Sequence, residues 1–303
     1  MKLLAISVVL SSIISGSLMA QHKVRYGEDG RRNRSQISDK ELLKISKSVV
    51  MLVDKSDLRI HDAETYKTYA QTLERTGYCS DQPFAKEVAV GWCSGFLVGQ
   101  DTVVTAGHCI RSEFDCSRTA FIFDYTDNNY SGNQAKFQKS KVYNCSKIVS
   151  RSLNGEVDYA VLKLDRKVTD RSPMKLRESG KIKNRTKLAV LGHPEGIPLK
   201  VTVGGRVKRN SHPDIFLANL DTFGGNSGSA VISTETGDVE GILVAGVTDS
   251  RYSNSKGCMV VNKCFNSLIL NQIFKRKKCT APLDGKLKSG EQVVRIKHVL
   301  PYL

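Results

Sequence analysis

Cys93-Ser-Gly-Phe-Leu-Val-Gly99, followed one hairpin later by Thr102-Val-Val-Thr-Ala-Gly-His-Cys109, decides how the chain reads. Each run is short, apolar and rich in β-branched or aromatic residues, the pattern of a buried strand. The second strand ends at Ala106 and delivers His108 at its tip, with Cys109 beside it. Outward from this pair, comparable runs recur at 120–124, 141–149, 159–164, 187–191, 199–207, 215–220, 228–233 and 239–247. Gly, Asn, Asp and Ser cluster between them, as tight turns require. Many short strands without intervening helices predict an all-β protein, a sandwich or a pair of barrels. Phe265, Leu268, Ile269 and Ile273 predict one amphipathic C-terminal helix, with Lys275 to Lys278 at its negative dipole end.

The N-terminus carries other signals. Lys2, an apolar run over 3–14 and small residues to Ala20 predict a secretory signal over 1–20, cut after Ala20 and too short to span a membrane comfortably. Residues 21–45 are expected to be a propeptide or extension. Within them, Ser38 and Glu41 are spaced as a capping box for a short helix. The remaining domain is 46–303, with 48–53 either a first strand or the end of that helix, and an unassigned stretch over 54–86. Export to an oxidising compartment, secreted or periplasmic, makes the eight cysteines disulfide candidates. No cysteine–histidine spacing resembles a zinc site. The net charge is +16, or +15 without Lys2, which favours anionic partners such as cell-envelope surfaces. The basic residues are scattered, however, and no aromatic-interleaved basic stripe marks a nucleic-acid platform.

Three segments carry chemistry. Of six histidines, His22 and His298 lie near the termini, His61 is in a charged stretch, and His193 and His212 are in turn-like settings. Only His108 ends a buried strand. Asp158 opens the apolar run 159–164; alone it would be an ordinary strand-starting aspartate, with Asp165 and Asp170 as competitors in a more polar stretch. Gly225-Asn-Ser-Gly-Ser229 flanks Ser227 with glycines, which lets the hydroxyl project and aims the Gly225 and Ser227 amides at one point. A histidine base, an orienting carboxylate and a serine nucleophile with an oxyanion site make an acyl-transfer constellation.

These segments, in the order His108, Asp158, Ser227, resemble the trypsin-like serine proteases from about residue 88 to 271. The resemblance implies two six-stranded antiparallel barrels with the cleft between them, a Cys93–Cys109 disulfide, protein or peptide substrates, and no metal or organic cofactor. Asn226 stands where animal trypsins carry an aspartate. Gly-Asn-Ser-Gly-Ser, with Tyr26-Gly-Glu-Asp-Gly-Arg31 upstream, is similar to the bacterial glutamyl-endopeptidase-like branch. The substrate pocket is then expected from 220–224 and 243–246. Asp221, six residues before Ser227, corresponds to the carboxylate that receives an arginine or lysine in trypsins. Thr222 matches the threonine of glutamyl endopeptidases, whereas Leu243 replaces their histidine. Val244, Ala245 and Gly246 are expected to hydrogen-bond an extended substrate. Further disulfides are expected at Cys116–Cys145, Cys258–Cys264 and Cys79–Cys279. Two other readings remain: a catalytically silent homologue, or a basic envelope-binding protein on the same fold.

Overall fold

The computed structural model describes residues 25–26, 28–155, 157–246, 248–264 and 290–303. Six antiparallel strands close a first barrel in the order Val142–Asn154, Val157–Leu164, Thr102–Thr105, Cys93–Gly99, Val49–Asp54 and Thr119–Phe123. A second set runs Lys187–Gly192, Ala230–Ser233, Val239–Ala245, Glu291–Arg295, Ile215–Ala218 and Lys200–Arg209, and the last strand pairs back to the first. Both barrels are therefore six-stranded and antiparallel, the chymotrypsin-like double barrel.

The strands read as continuous apolar runs because both of their faces are covered. Along Val49–Asp54, Val50 and Leu52 join a core cluster with Phe96, Val104 and Leu162. Met51 and Val53 pack on the other side with Ala135 and Phe137. Along Lys187–Gly192, Leu188 and Val190 fill the second barrel with Phe216, Val231 and Val293. Ala189 and Leu191 instead belong to the cluster shared with the first barrel. At about 25 cal/mol per Å² of apolar surface, burial on both faces outweighs the alternation rule for a half-exposed strand.

Several expectations change. Residues 31–45 are built into the domain: Arg31–Asn33 pairs with Lys200–Thr202 as an added edge strand. The helix Lys40–Ser46 starts from Asp39, whose Oδ1 accepts the Glu41 and Leu42 amides, and not from Ser38. The stretch 54–86 includes two strands of a small accessory sheet, Arg59–Ile60 and Thr65–Tyr69. Disulfides join Cys93 to Cys109 and Cys116 to Cys145, but Cys258 pairs with Cys79 and not with Cys264. The reason is local pairing: the Cys79 amide donates to Met259 O at 2.9 Å, which brings residue 79 alongside 258. Cys79 is therefore not bonded to Cys279, which lies outside the described residues, as does the expected helix at 265–273. The chain ends in two short helical turns, Ile296–His298 and Leu300–Tyr302. No helix among the described residues is long and apolar enough to cross a membrane.

Candidate active site

His108 follows the strand Thr102–Thr105 in a tight loop, and Gly107 is what allows it. A Cβ there would lie 2.1 Å from Ser152 O and 2.8 Å from Tyr159 O. The loop is pinned by the Cys93–Cys109 disulfide and by Arg151 Nε, which donates to Gly107 O at 2.9 Å. Asp158 sits in the adjacent strand Val157–Leu164, nearly buried at 9% exposure. Its carboxylate takes two bonds from one residue: the His108 amide donates to Oδ1 at 3.0 Å, and His108 Nδ1 lies 2.6 Å from Oδ2. A carboxylate facing Nδ1 requires the proton there, so Nε2 keeps its lone pair. The competing aspartates are committed elsewhere, Asp165 to Asn144 and Asp170 to Arg171 and Lys141.

Ser227 comes from the second barrel, on a turn held against the first. Gly225 and Gly228 both have positive φ, +80° and +86°. A Cβ on Gly228 would meet Ser94 O at 2.1 Å and Thr105 Oγ1 at 2.2 Å, so the turn closes only with glycine there. The Ser227 carbonyl accepts from the Ser94 amide at 2.8 Å and lies 3.7 Å from Cys109 Sγ. This places the serine turn against the residue next to His108. The Asn226, Gly228 and Ser229 amides donate to Phe223, Leu243 and Asn226 carbonyls. Among the described residues, the Gly225 and Ser227 amides have no such acceptor, which leaves this pair available to an oxyanion.

Groups to which the sequence reading gave no role fix that amide pair. The Ser94 hydroxyl donates to Gly225 O at 2.8 Å and accepts the His193 amide at 2.8 Å. The Glu195 amide donates to Gly224 O. In a trans peptide the N–H points opposite to the C=O, so Gly225 N–H is directed away from the 193–196 loop. The Gly224 amide in turn donates to Asp249 Oδ2 at 2.6 Å. Burial lowers the fully enclosed His193 imidazole to about 3, and its Nδ1 donates to Ile197 O. Burial, with Glu195 nearby, lifts the Asp249 carboxyl to about 7. The legible hint was Gly192-His-Pro-Glu-Gly196, a run of polar residues between two buried strands.

The expected pocket residues divide into two groups. Thr222, Leu243 and Val244 are buried, while Ala245 and Gly246 are exposed where their strand runs past Ala230–Ser233. Asp221 does not offer a free carboxylate, which corrects its expected role. It is 6% exposed and accepts the Tyr26 amide at 2.7 Å and the Gly30 amide at 2.8 Å. Burial raises its carboxyl against those two bonds. Arg31 packs beside it, with its guanidinium 4.0 Å from the Phe223 ring centre. Glu291 was not anticipated. It is fully buried and so close to Gly246 that a Cβ there would sit 1.9 Å from Oε2. Among the described residues, Cys93, His108 and Cys109 are grouped closely enough to suggest a metal site. Both sulfurs are consumed in the disulfide, so neither is available as a thiolate ligand.

No curated protein matches the chain in sequence. Among solved structures, a Glu endopeptidase in complex with MPD is similar with a TM-score of 0.45 and 15% identity, over 83% of this chain and 98% of that one. The Vibrio cholerae VesB protease is similar with a TM-score of 0.49 and 14% identity, over 92% of this chain and 66% of that one. Residues 93–242, which span the His108, Asp158 and Ser227 segments, match the trypsin-like peptidase domain, and through them the chain belongs to the trypsin-like peptidases.

Proposed function

We propose that the protein is a serine endopeptidase acting through His108, Asp158 and Ser227. One observation carries this reading: Asp158 grips both the amide and Nδ1 of His108, while the Ser227 turn, its carbonyl 3.7 Å from Cys109 Sγ, carries two amides with no acceptor among the described residues. With Nδ1 protonated, His108 Nε2 takes the proton as Ser227 Oγ bonds to the scissile carbonyl carbon. The carbonyl oxygen gains the charge, and the Gly225 and Ser227 amides stabilise it. His108 then gives its proton to the departing amine. Water, deprotonated by the same imidazole, releases the acid from the acyl-enzyme.

Cleavage after arginine or lysine is the finer part of this reading. Both oxygens of the Asp221 carboxylate are taken by backbone amides, which stabilise its charge without cancelling it. Its charge favours a cationic side chain through the local potential and not through direct contact. The signal over residues 1–20, with three disulfides, supports a secreted or periplasmic location.

The test is peptide hydrolysis by purified protein and by Ser227→Ala, with a mixed-sequence peptide library as substrate. The wild type should cleave and the variant should not, at unchanged thermal stability. Equal hydrolysis by the variant removes Ser227 from the chemistry. Cleavage after acidic residues overturns only the specificity.

A further inference from the structure

Outside both barrels, Arg59–Ile60, Thr65–Tyr69, Gln134–Gln138 and Tyr130–Ser131 form a four-stranded antiparallel sheet in that order. Its register sets Arg59 opposite Lys67 and Lys67 opposite Lys136. Three cations thus stand in one line across three neighbouring strands. Strands lie about 4.8 Å apart, so the line is about 10 Å long. The alternate residues Thr68, Ala135 and Phe137 are buried, which puts the cations on the outward face.

Like charges placed directly opposite destabilise a sheet, and no acid among the described residues neutralises these. Among the described residues, none of the three is in an ion pair. Asp62, the acid nearest in sequence to Lys67 apart from Glu64, is turned into its own loop and accepts from Glu64 N, Thr65 N and Thr65 Oγ1. The same face carries Thr65, Gln134 and Gln138, with Tyr69 53% exposed beside Lys67. Next to it opens a cavity of about 310 Å³ lined by Asn128, Ser131, Gln134, Lys136 and Gln138 among others.

We infer that this face binds an acidic polysaccharide, with Arg59, Lys67 and Lys136 on its carboxylate, sulfate or phosphate groups. Amides and hydroxyls both donate and accept, as sugar hydroxyls require. A single-stranded nucleic acid would call for a series of stacking rings, and Tyr69 is the one well-exposed ring among the described residues of this face. The inference does not depend on the peptidase reading.

The test compares the full-length protein with Arg59→Gln/Lys67→Gln/Lys136→Gln, with the single Lys136→Gln, and with Lys181→Gln/Lys183→Gln/Lys187→Gln. The last variant removes equal charge at exposed positions elsewhere. Binding to polygalacturonate and to immobilised heparin is measured by titration and by the salt needed for elution, with neutral dextran and single-stranded DNA as comparisons. The sheet triple variant should lose at least tenfold in affinity and elute at lower salt, and Lys136→Gln should fall between it and wild type. The control variant and peptide hydrolysis should change less than twofold. Equal loss in the control variant overturns the site in favour of net charge alone. Binding of DNA at least as tight as the polysaccharides, lost in the sheet variant, overturns the polysaccharide assignment.

Discussion

Ser94→Ala tests how the oxyanion site is held, because one buried hydroxyl links two loops there. Ser94 is fully enclosed; it accepts the His193 amide and donates to Gly225 O, both at 2.8 Å. Alanine leaves His193 N–H buried without an acceptor and frees the Gly225 carbonyl. An orphaned buried donor costs about 1–3 kcal/mol and a lost bond about 1 kcal/mol more, so stability should fall by about 2–4 kcal/mol. The 224–225 peptide keeps its tie from the Glu195 amide, so the site is loosened and not abolished. A fully lost oxyanion donor costs roughly 100- to 1,000-fold in kcat; a loosened one should cost about 10- to 100-fold, with KM little changed. The assay pairs urea unfolding with steady-state hydrolysis of a chromogenic peptide. A variant that is destabilised as expected yet keeps kcat within twofold would refute the proposed dependence of Gly225 on Ser94.

Three further outcomes follow from the same contacts. Asp158→Asn keeps the shape but allows its amide to donate to Nδ1, which moves the imidazole proton to Nε2; kcat should drop by about 10,000-fold, as in the worked serine-protease case, and a stopped assay on purified variant checks it. Replacing Cys79 and Cys258 by alanine opens a loop of 179 residues, so chain entropy predicts a loss of about 5 kcal/mol at most, read from urea midpoints with the other two disulfides intact. Asp249 holds its proton in the folded state to about pH 7, against about 3.8 normally. Between those values the unfolded chain has already released that proton, so stability declines as pH rises through the window. Asp249→Asn should therefore gain relative to wild type between pH 5 and pH 8, and a constant difference across that range would contradict it.

The fold was legible where burial on both faces makes strands apolar throughout, as in Val157–Leu164 and Val239–Ala245, whereas Val49–Asp54 fitted the end of a helix as well as a strand. The accessory sheet was not, because Arg59–Ile60 and Thr65–Tyr69 carry arginine, lysine and exposed Ile60 and Tyr69, and alternate on only one buried face. The site segments declared themselves through glycines that nothing else could replace, Gly107 and Gly228. Ser94, His193 and Glu195 stayed hidden, since a polar residue that satisfies a neighbouring loop looks in sequence like any other turn residue. The Cys79–Cys258 bond depends on the bridge between Tyr78 and Met259, 181 residues apart in sequence, which no spacing rule reveals.

Asp221 stands at the expected position with both carboxylate oxygens already engaged. Its position six residues before Ser227 suits a carboxylate that waits for a basic substrate, and burial near a pocket would normally demand such a partner. Here the demand is met in part from the N-terminal side: residues 26 and 30 give two amides, and Arg31–Asn33 is anchored by pairing with Lys200–Thr202. Two N–H dipoles stabilise an anion without cancelling its charge, so Asp221 still contributes to the local potential while being closed to direct contact. Asp221→Asn should act more on stability than on selectivity, because its amide can accept both backbone bonds only through one oxygen. If Asp221→Asn abolishes a preference for arginyl and lysyl peptides, the substrate reaches Asp221 after all, and residues 26 and 30 must give up their bonds to admit it.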